Sequence, residues 1–188
     1  MDELAPESPL ALAVRLGQLP SVELLLKKGA SPDSKYKAEG VDYGNVLNLV
    51  TKRQDIGVVK LLLAYKADTE AKNEGCTPLH LAVQSNNGKV IRLLIAHHAN
   101  TVALNGQGLT PLLAILNNHQ RPTRKQREIV HLLINAGADV NAIGGVYDSA
   151  LQAAAHHGDE FIVHASCSTN PKSTSTRREV ASVARCKL

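Results

Sequence analysis

Residues 77–83 read TPLHLAV, and after a short polar stretch residues 90–100 read VIRLLIAHHAN. Thr77 can cap a helix through its side-chain oxygen, and Pro78 suits the first helical position, where a missing N–H costs nothing. The second segment carries the denser apolar run and can form a helix that buries one face. This stretch therefore predicts two short helices joined by a turn.

The same pattern recurs along the chain at intervals near 33 residues. Five stretches open in this way, SPLALAV, NVLNLV, TPLHLAV, TPLLAIL and SALQAAA, at Ser8, Asn45, Thr77, Thr110 and Ser149. The spacings between these openings are 37, 32, 33 and 39 residues. The two longer spacings contain insertions, KYKAEGVDYG before the second opening and HQRPTRKQ inside the fourth unit. Self-similarity at a fixed period indicates a stack of supersecondary units.

Glycines mark the predicted helix ends, because glycine accepts the left-handed conformation that often follows a helix. They follow the first helix of a unit at Gly17, Gly88 and Gly158, and the second helix at Gly29 and Gly137. Lys66 and His98 occupy the place of the second-helix glycine in the second and third units. A left-handed backbone at either residue would cost up to ~1 kcal/mol relative to glycine.

These units resemble the ankyrin repeat, in which TPLHLA is followed by a helical leucine pair and then by GADVNA. The resemblance covers about residues 4–165 and implies an all-α solenoid of about five helix-turn-helix repeats with hairpin fingers. The stretches DYGNVLNL and GVYDSALQAAA are similar to repeats common in fungal ankyrin proteins. The expected repeats span residues 4–36, 41–72, 73–105, 106–144 and 145–165, the last of them truncated.

The net charge of +4 is concentrated in the C-terminal tail. Positive and negative residues balance over 1–165, so this part has no net field to attract a polyanion. Residues 166–188 are basic and rich in Ser and Thr, and we expect them to be disordered. No paired leucines follow Ile162-Val163, which predicts that the fifth repeat is cut short. Two explanations stay open, a fragment of a longer array or a truncated gene product.

The chain is expected to be intracellular, in the cytoplasm or the nucleus. It has no secretory signal and no apolar run long enough to span a bilayer. Cys76, Cys167 and Cys186 are odd in number and widely spaced, so they suggest no disulfide framework. The C-terminal Cys186-Lys187-Leu188 is similar to the serine-lysine-leucine peroxisomal address, which leaves a peroxisomal location as a weaker alternative.

No catalytic residue, cofactor site or metal site is predicted, because no phosphate-binding loop, nucleophile elbow or zinc motif occurs. In ankyrin repeats the histidine at the place of His80 bonds to neighbouring backbone and ties repeats together. The pairs His97-His98 and His156-His157 cannot chelate a metal like an i,i+4 pair, because adjacent helical residues point about 100° apart. Cys76 is expected to be a small surface residue on a hairpin tip.

A basic run lies in the insertion of the fourth unit, at Arg121, Arg124, Lys125 and Arg127. We interpret it as a solvated loop that leads into a helix at Glu128-Ile129-Val130. The alternative is that the basic run binds an acidic partner. Nucleic acid is not an expected partner, because acidic residues elsewhere in the chain prevent a continuous basic stripe and no aromatic residues accompany the basic run to stack on bases.

The resemblance implies a concave surface, lined by hairpin tips and first helices, that binds another protein. The chain is expected to be a monomer with no small-molecule substrate, no nucleic-acid partner and no membrane partner. We call the following positions the concave surface: Glu7, Arg15, Asp42, Lys52, Arg53, Asn73, Glu74, Cys76, Gln84, Ser85, Gln107, Leu109, Asn117, Asn118, Val146, Asp148, His156 and His157.

Three functions remain open on the sequence. The first is a protein-binding scaffold or adaptor that recognises its partner on the concave surface. The second is an enzyme with an unrecognised site, and the third is a nonfunctional fragment of a larger ankyrin signalling protein. Loss of a partner when concave residues are changed would favour the scaffold. Turnover that one substitution abolishes would favour the enzyme, and aggregation of the chain would favour the nonfunctional fragment.

Overall fold

The computed structural model describes residues 7–38, 41–117, 122–145, 149–158, 160 and 163–164. A capping threonine, serine or asparagine and an apolar face recur in these segments, and they produce short helices rather than long ones. The named helices are α1 (Pro9–Arg15), α2 (Leu19–Lys27), α3 (Val46–Arg53), α4 (Ile56–Ala64), α5 (Pro78–Gln84), α6 (Gly88–Ala96), α7 (Pro111–Leu116), α8 (Arg124–Asn135) and α9 (Ala150–His157).

The predicted helix caps are confirmed. At Ser8, Thr77, Thr110 and Ser149 the side-chain oxygen accepts a hydrogen bond from the backbone N–H three residues later. Asn45 does the same at the start of α3. Each bond satisfies one of the N–H groups that a helix N-terminus leaves without a partner, which is worth about 1 kcal/mol. The repeated opening of the sequence is therefore a repeated helix start.

The helices form two layers. The inner layer is α1, α3, α5, α7 and α9, in which each helix contacts the next, and the outer layer is α2, α4, α6 and α8, stacked in the same way. Each inner helix also packs against the outer helix that follows it, from α1·α2 to α7·α8. This is the stacked helix-turn-helix solenoid that the repeat period predicts.

The core is a ladder of equivalent leucines. The residue two places after each cap is fully or almost fully buried, at Leu10, Leu47, Leu79, Leu112 and Leu151. The outer layer contributes Leu62, Leu94 and Leu133, each with no exposed surface. Burying a leucine contributes about 1.5–3 kcal/mol, so these positions supply much of the driving force for stacking.

The left-handed helix ends are confirmed for Lys66 and His98, which both have φ of 61°. The prediction for Gly88 is wrong. In the third helix pair Asn86 takes the left-handed conformation, with φ of 51°, and Gly88 is the first residue of α6. The reason is that the Asn87 side chain accepts a hydrogen bond from the N–H of Val90 and caps α6. Gly88 therefore lies inside the second helix of the pair and does not end the first.

Replacing Lys66 with glycine is expected to raise the free energy of unfolding by up to ~1 kcal/mol, because glycine adopts the left-handed conformation without strain. Urea unfolding followed by circular dichroism measures the change. The matched control is Lys28→Gly, at the C-cap of α2, where φ is −85° and glycine should be neutral or destabilising. Equal shifts in the two variants would contradict this explanation.

The insertion before the second opening forms an antiparallel hairpin of β1 (Lys35–Ala38) and β2 (Val41–Asn45). The register is irregular between residues 35 and 37, where one extra residue is accommodated. The later fingers are shorter, with single bridges between Asn73 and Cys76 and between Ile143 and Ser149. The first finger is therefore the longest of those that the described residues form.

Candidate partner-binding site

Charged residues of the first two helix pairs meet at one end of the concave surface. The Arg15 guanidinium pairs with both Glu7 carboxylate oxygens, at 3.2 and 3.3 Å. The hydrogen bond from Arg15 to Glu7 raises the pKa of Arg15 above its ordinary value, so the arginine stays charged. Arg53, at the end of α3, donates to the carbonyl oxygen of Arg15. Residues far apart in sequence are thus held together at the ends of α1 and α3.

The next contact along the surface joins the second helix pair to the third. The ammonium group of Lys52 lies 3.7 Å from the Glu74 carboxylate. Glu74 is at the tip of the Asn73–Cys76 finger, where its φ is 49°. Both side chains are exposed, and exposed ion pairs contribute about 0–1 kcal/mol. The pair positions two charges at the surface more than it stabilises the fold.

The third helix pair contributes a polar patch. The Gln84 side-chain amide lies 4.0 Å from the sulfur of Cys76. Cys76 is half-buried and Gln84 is exposed. Ser85 donates from its hydroxyl to the carbonyl oxygen of Leu81 at 2.8 Å, which fixes its direction at the end of α5. Finger and inner helix therefore present adjoining polar groups in this repeat.

Further along, the surface continues through Gln107 and Asn117. Gln107 is exposed, and its backbone N–H donates to the Asn105 side chain at 2.9 Å. The Asn117 side-chain oxygen lies close enough to Gly145 that a Cβ there would approach it to 2.7 Å. The rings of His156 and His157 stand nearly perpendicular, with centroids 5.2 Å apart. These residues extend the row of polar side chains to α9.

Two positions of the predicted set are buried, Asn73 at 3% and Leu109 at 4% exposure. Their backbones close the fingers. Asn73 exchanges two hydrogen bonds with Cys76, and the Leu109 carbonyl oxygen accepts from Asn105. We therefore correct the prediction and remove both from the concave surface. The side chain of Asp42 and all of Asn118, Val146 and Asp148 lie outside the described residues, as do the end of the fifth repeat and the 166–188 tail.

The structural role expected for His80 is confirmed. Its side chain is fully buried, and its Nδ1 lies 2.8 Å from the Thr77 hydroxyl. Its Nε2 lies 3.0 Å from the carbonyl oxygen of Leu109, in the next finger. Burial lowers the pKa of His80, so the neutral ring is favoured. A ring with no exposed surface cannot reach a substrate, and it joins two repeats instead.

The sequence analysis missed the equivalent residue of the second helix pair, Asn48. It is fully buried, and its side-chain N–H donates to the carbonyl oxygen of Ala71 at 2.9 Å. The available signal was the alignment of NVLNL with TPLHL, which places Asn48 at the position of His80. A polar residue at that place therefore connects one repeat to the next in both pairs.

The prediction that the basic run of the fourth unit forms a loop is wrong for the three of its residues that the structure describes. Arg124, Lys125 and Arg127 lie in the first turn of α8 rather than in a loop, because Thr123 begins the helix with a capping box completed by Gln126. Arg121 lies outside the described residues. The three basic side chains are therefore carried on a rigid helix of the outer layer.

The described part of the chain contains no group of three or more His, Cys, Asp or Glu side chains that could hold a metal ion. None of the helices formed by the described residues is long and apolar enough to cross a membrane.

The two stacked helical layers with fingers at one end define a helical-repeat protein. The family model described as "Ankyrin repeats (3 copies)" matches residues 47–143, and the model "Ankyrin repeat" matches residues 7–37. The chain belongs to the ankyrin-repeat family. Proteins of this family are generally protein–protein interaction modules and typically not enzymes. No curated protein matches the sequence significantly.

Proposed function

We propose that the chain is a scaffold or adaptor that binds another protein on its concave surface. The observation that supports this most is the contact of concave residues across repeats. Arg53 reaches the backbone of Arg15, and Lys52 pairs with Glu74. Charged side chains from separate helix pairs are thereby brought together on one surface before a partner arrives.

Side chains that are partly ordered before association favour binding, since ordering a long side chain on association costs about 0.5–1.5 kcal/mol. Arg53 is the residue that we expect to contribute most. It is exposed, and it forms no ion pair with any described residue. Arginine is also among the residues that most often dominate interface energies.

The concave surface carries both charges, and this supports a protein partner with complementary charges of both signs. Glu7 and Arg15 neutralise one another at 3.2 Å, as Lys52 and Glu74 do at 3.7 Å. A partner can exchange these weak exposed pairs for contacts of its own at small cost. We place the module inside the cell as a monomer, and we propose no membrane, nucleic-acid or small-molecule ligand for this surface.

Substitution of Arg53, Glu74 and Asn117 together by alanine is expected to weaken partner binding by about 30-fold or more, as loss of a hot spot of about 2 kcal/mol implies. The full chain and the variant are used as parallel baits in a lysate of the source organism. Captured proteins are identified by mass spectrometry, and the affinity of the recovered partner is then measured with purified chains.

The matched control carries Lys60→Ala and Asn135→Ala, which are exposed on outer helices. It should retain the partner, and circular dichroism should show that all three baits fold alike. Equal recovery by the concave variant and the unchanged chain would move the site away from this surface. A partner lost from both variants would point to a general loss of structure.

A further inference from the structure

A cleft of about 360 Å³ opens between α6 and α8 in the outer layer. It lies beside the turn that joins α5 to α6, which is the end of the helices opposite the fingers. No residue of the concave surface lines it. Its volume is within the range of about 300–1,000 Å³ that is usual for ligand pockets.

A glycine lines the cleft. Gly88 is the first residue of α6, and Leu19 and Ile56 hold the same place in α2 and α4. A Cδ atom of Leu19 lies 3.5 Å from where a Cβ on Gly57 would stand, so Leu19 packs across to the next helix pair. A Cβ on Gly88 would have no atom within 4 Å. The third pair has no side chain at this place, and the space beside Gly88 is open.

The walls of the cleft are positively charged. Lys89 and Arg92 reach it from α6 and Lys125 from α8, and none of the three forms an ion pair with another described residue. Glu128 is the one carboxylate among the lining residues, and it lies 3.4 Å from the Arg124 guanidinium. The cations of the cleft are thus available to an anionic ligand.

Two apolar residues of α8, Ile129 and Leu132, also line the cleft. Leu132 is half-buried and offers surface to a ligand. A lining of apolar and cationic side chains fits a peptide that carries both leucine-like and acidic side chains. A nucleic acid fits less well, because the described lining residues include no aromatic ring on which a base could stack.

We propose that this outer cleft is a second interaction site, which binds an acidic and partly apolar segment of a partner protein. Carboxylates of that segment pair with Lys89, Arg92 and Lys125, and an apolar side chain enters the space left by Gly88 and contacts Leu132. The chain then has two binding surfaces on opposite layers, so it can hold two protein partners at once.

The test uses the full chain and a fluorescein-labelled peptide of alternating glutamate and leucine, with binding measured by fluorescence anisotropy. Gly88→Leu fills the cleft and should weaken binding by about tenfold or more, because it displaces the peptide's apolar anchor. Arg92→Glu should weaken it by about threefold to tenfold, because an exposed attraction becomes a repulsion. Raising the salt concentration should weaken binding to the unchanged chain.

The matched control is Lys60→Glu, which reverses a charge at the same helical place in α4 and outside the cleft. It should change the affinity by less than about twofold, and Arg53→Ala should not change it either. The unfolding midpoint of Gly88→Leu should not fall, since its new side chain enters open space. Four results would each overturn the proposal: no binding of the peptide, equal binding of a glutamine analogue, equal losses in Lys60→Glu and Arg92→Glu, or tighter binding of a single-stranded oligonucleotide.

Discussion

Replacement of His80 by alanine is expected to lower the free energy of unfolding by about 3–5 kcal/mol, through a lost buried side chain and buried polar groups left without a partner. The ring is fully buried between Thr77, 2.8 Å away, and the carbonyl oxygen of Leu109, 3.0 Å away. Alanine leaves a cavity and removes the bond between the third and fourth repeats. Urea unfolding at neutral pH measures the effect.

The pH dependence provides a check that is specific to the histidine. Burial lowers the pKa of His80 in the folded chain, so the unfolded chain takes up its proton at a higher pH. The contribution of His80 is complete above the unfolded-state pKa of about 6.5 and is lost as the pH falls through the folded-state pKa. This part of the acid destabilisation should be absent from His80→Ala.

The control is His98→Gln, because the side chain of His98 is exposed and has no buried partner to lose. It should leave the stability within about 1 kcal/mol. A loss below about 1 kcal/mol in His80→Ala would contradict the role of this residue as the connection between two repeats.

Replacement of Gly75 by alanine is expected to lower the free energy of unfolding by about 2–4 kcal/mol, because overpacking adds to the strain of a positive φ. Gly75 has φ of 76° and follows Glu74 with φ of 49°, the pattern of a type I′ turn. A Cβ on Gly75 would stand 2.7 Å from the Cα and the nitrogen of Gly106. Two neighbouring fingers touch at their backbones there, and neither can move aside as a side chain would.

The control is Gly108→Ala, because Gly108 has φ of 72° but nothing within 4 Å of a built Cβ. It should cost about 1 kcal/mol from backbone strain alone. The difference between the two variants, measured by urea unfolding, isolates the contact between fingers. Equal losses would mean that the fingers separate freely and that the contact is unimportant.

The repeat architecture could be predicted from the sequence because each local signal agreed with the others. Thr77 caps α5 as predicted, and His98, at the place of the second-helix glycine, has the left-handed conformation. Leu79, two residues after the cap, is buried. These features depend on groups within a few residues of each other. A single repeat therefore contains enough information to define its own helices.

Other features could not be read from one repeat, because they depend on how neighbours pack. The sequence pattern predicts that Gly88 ends the first helix of its pair. In the structure Asn87 caps α6, and Gly88 is the first residue of that helix. Leu109 occupies a surface position in the repeat pattern, yet the bond from His80 and the finger closure bury it. The outer cleft likewise is lined by residues of both α6 and α8.

The succession of contacts from each helix to its neighbour has a consequence for how the chain assembles. Since the helices of the described residues pack mainly against their neighbours in the stack, the loops that must close are short and the search for native contacts stays local. Folding can start in any pair and spread in both directions, one pair at a time. His80 and Gly75 both lie at the junction of the third and fourth pairs, so a substitution at either residue is expected to hinder the spread of folding across that junction.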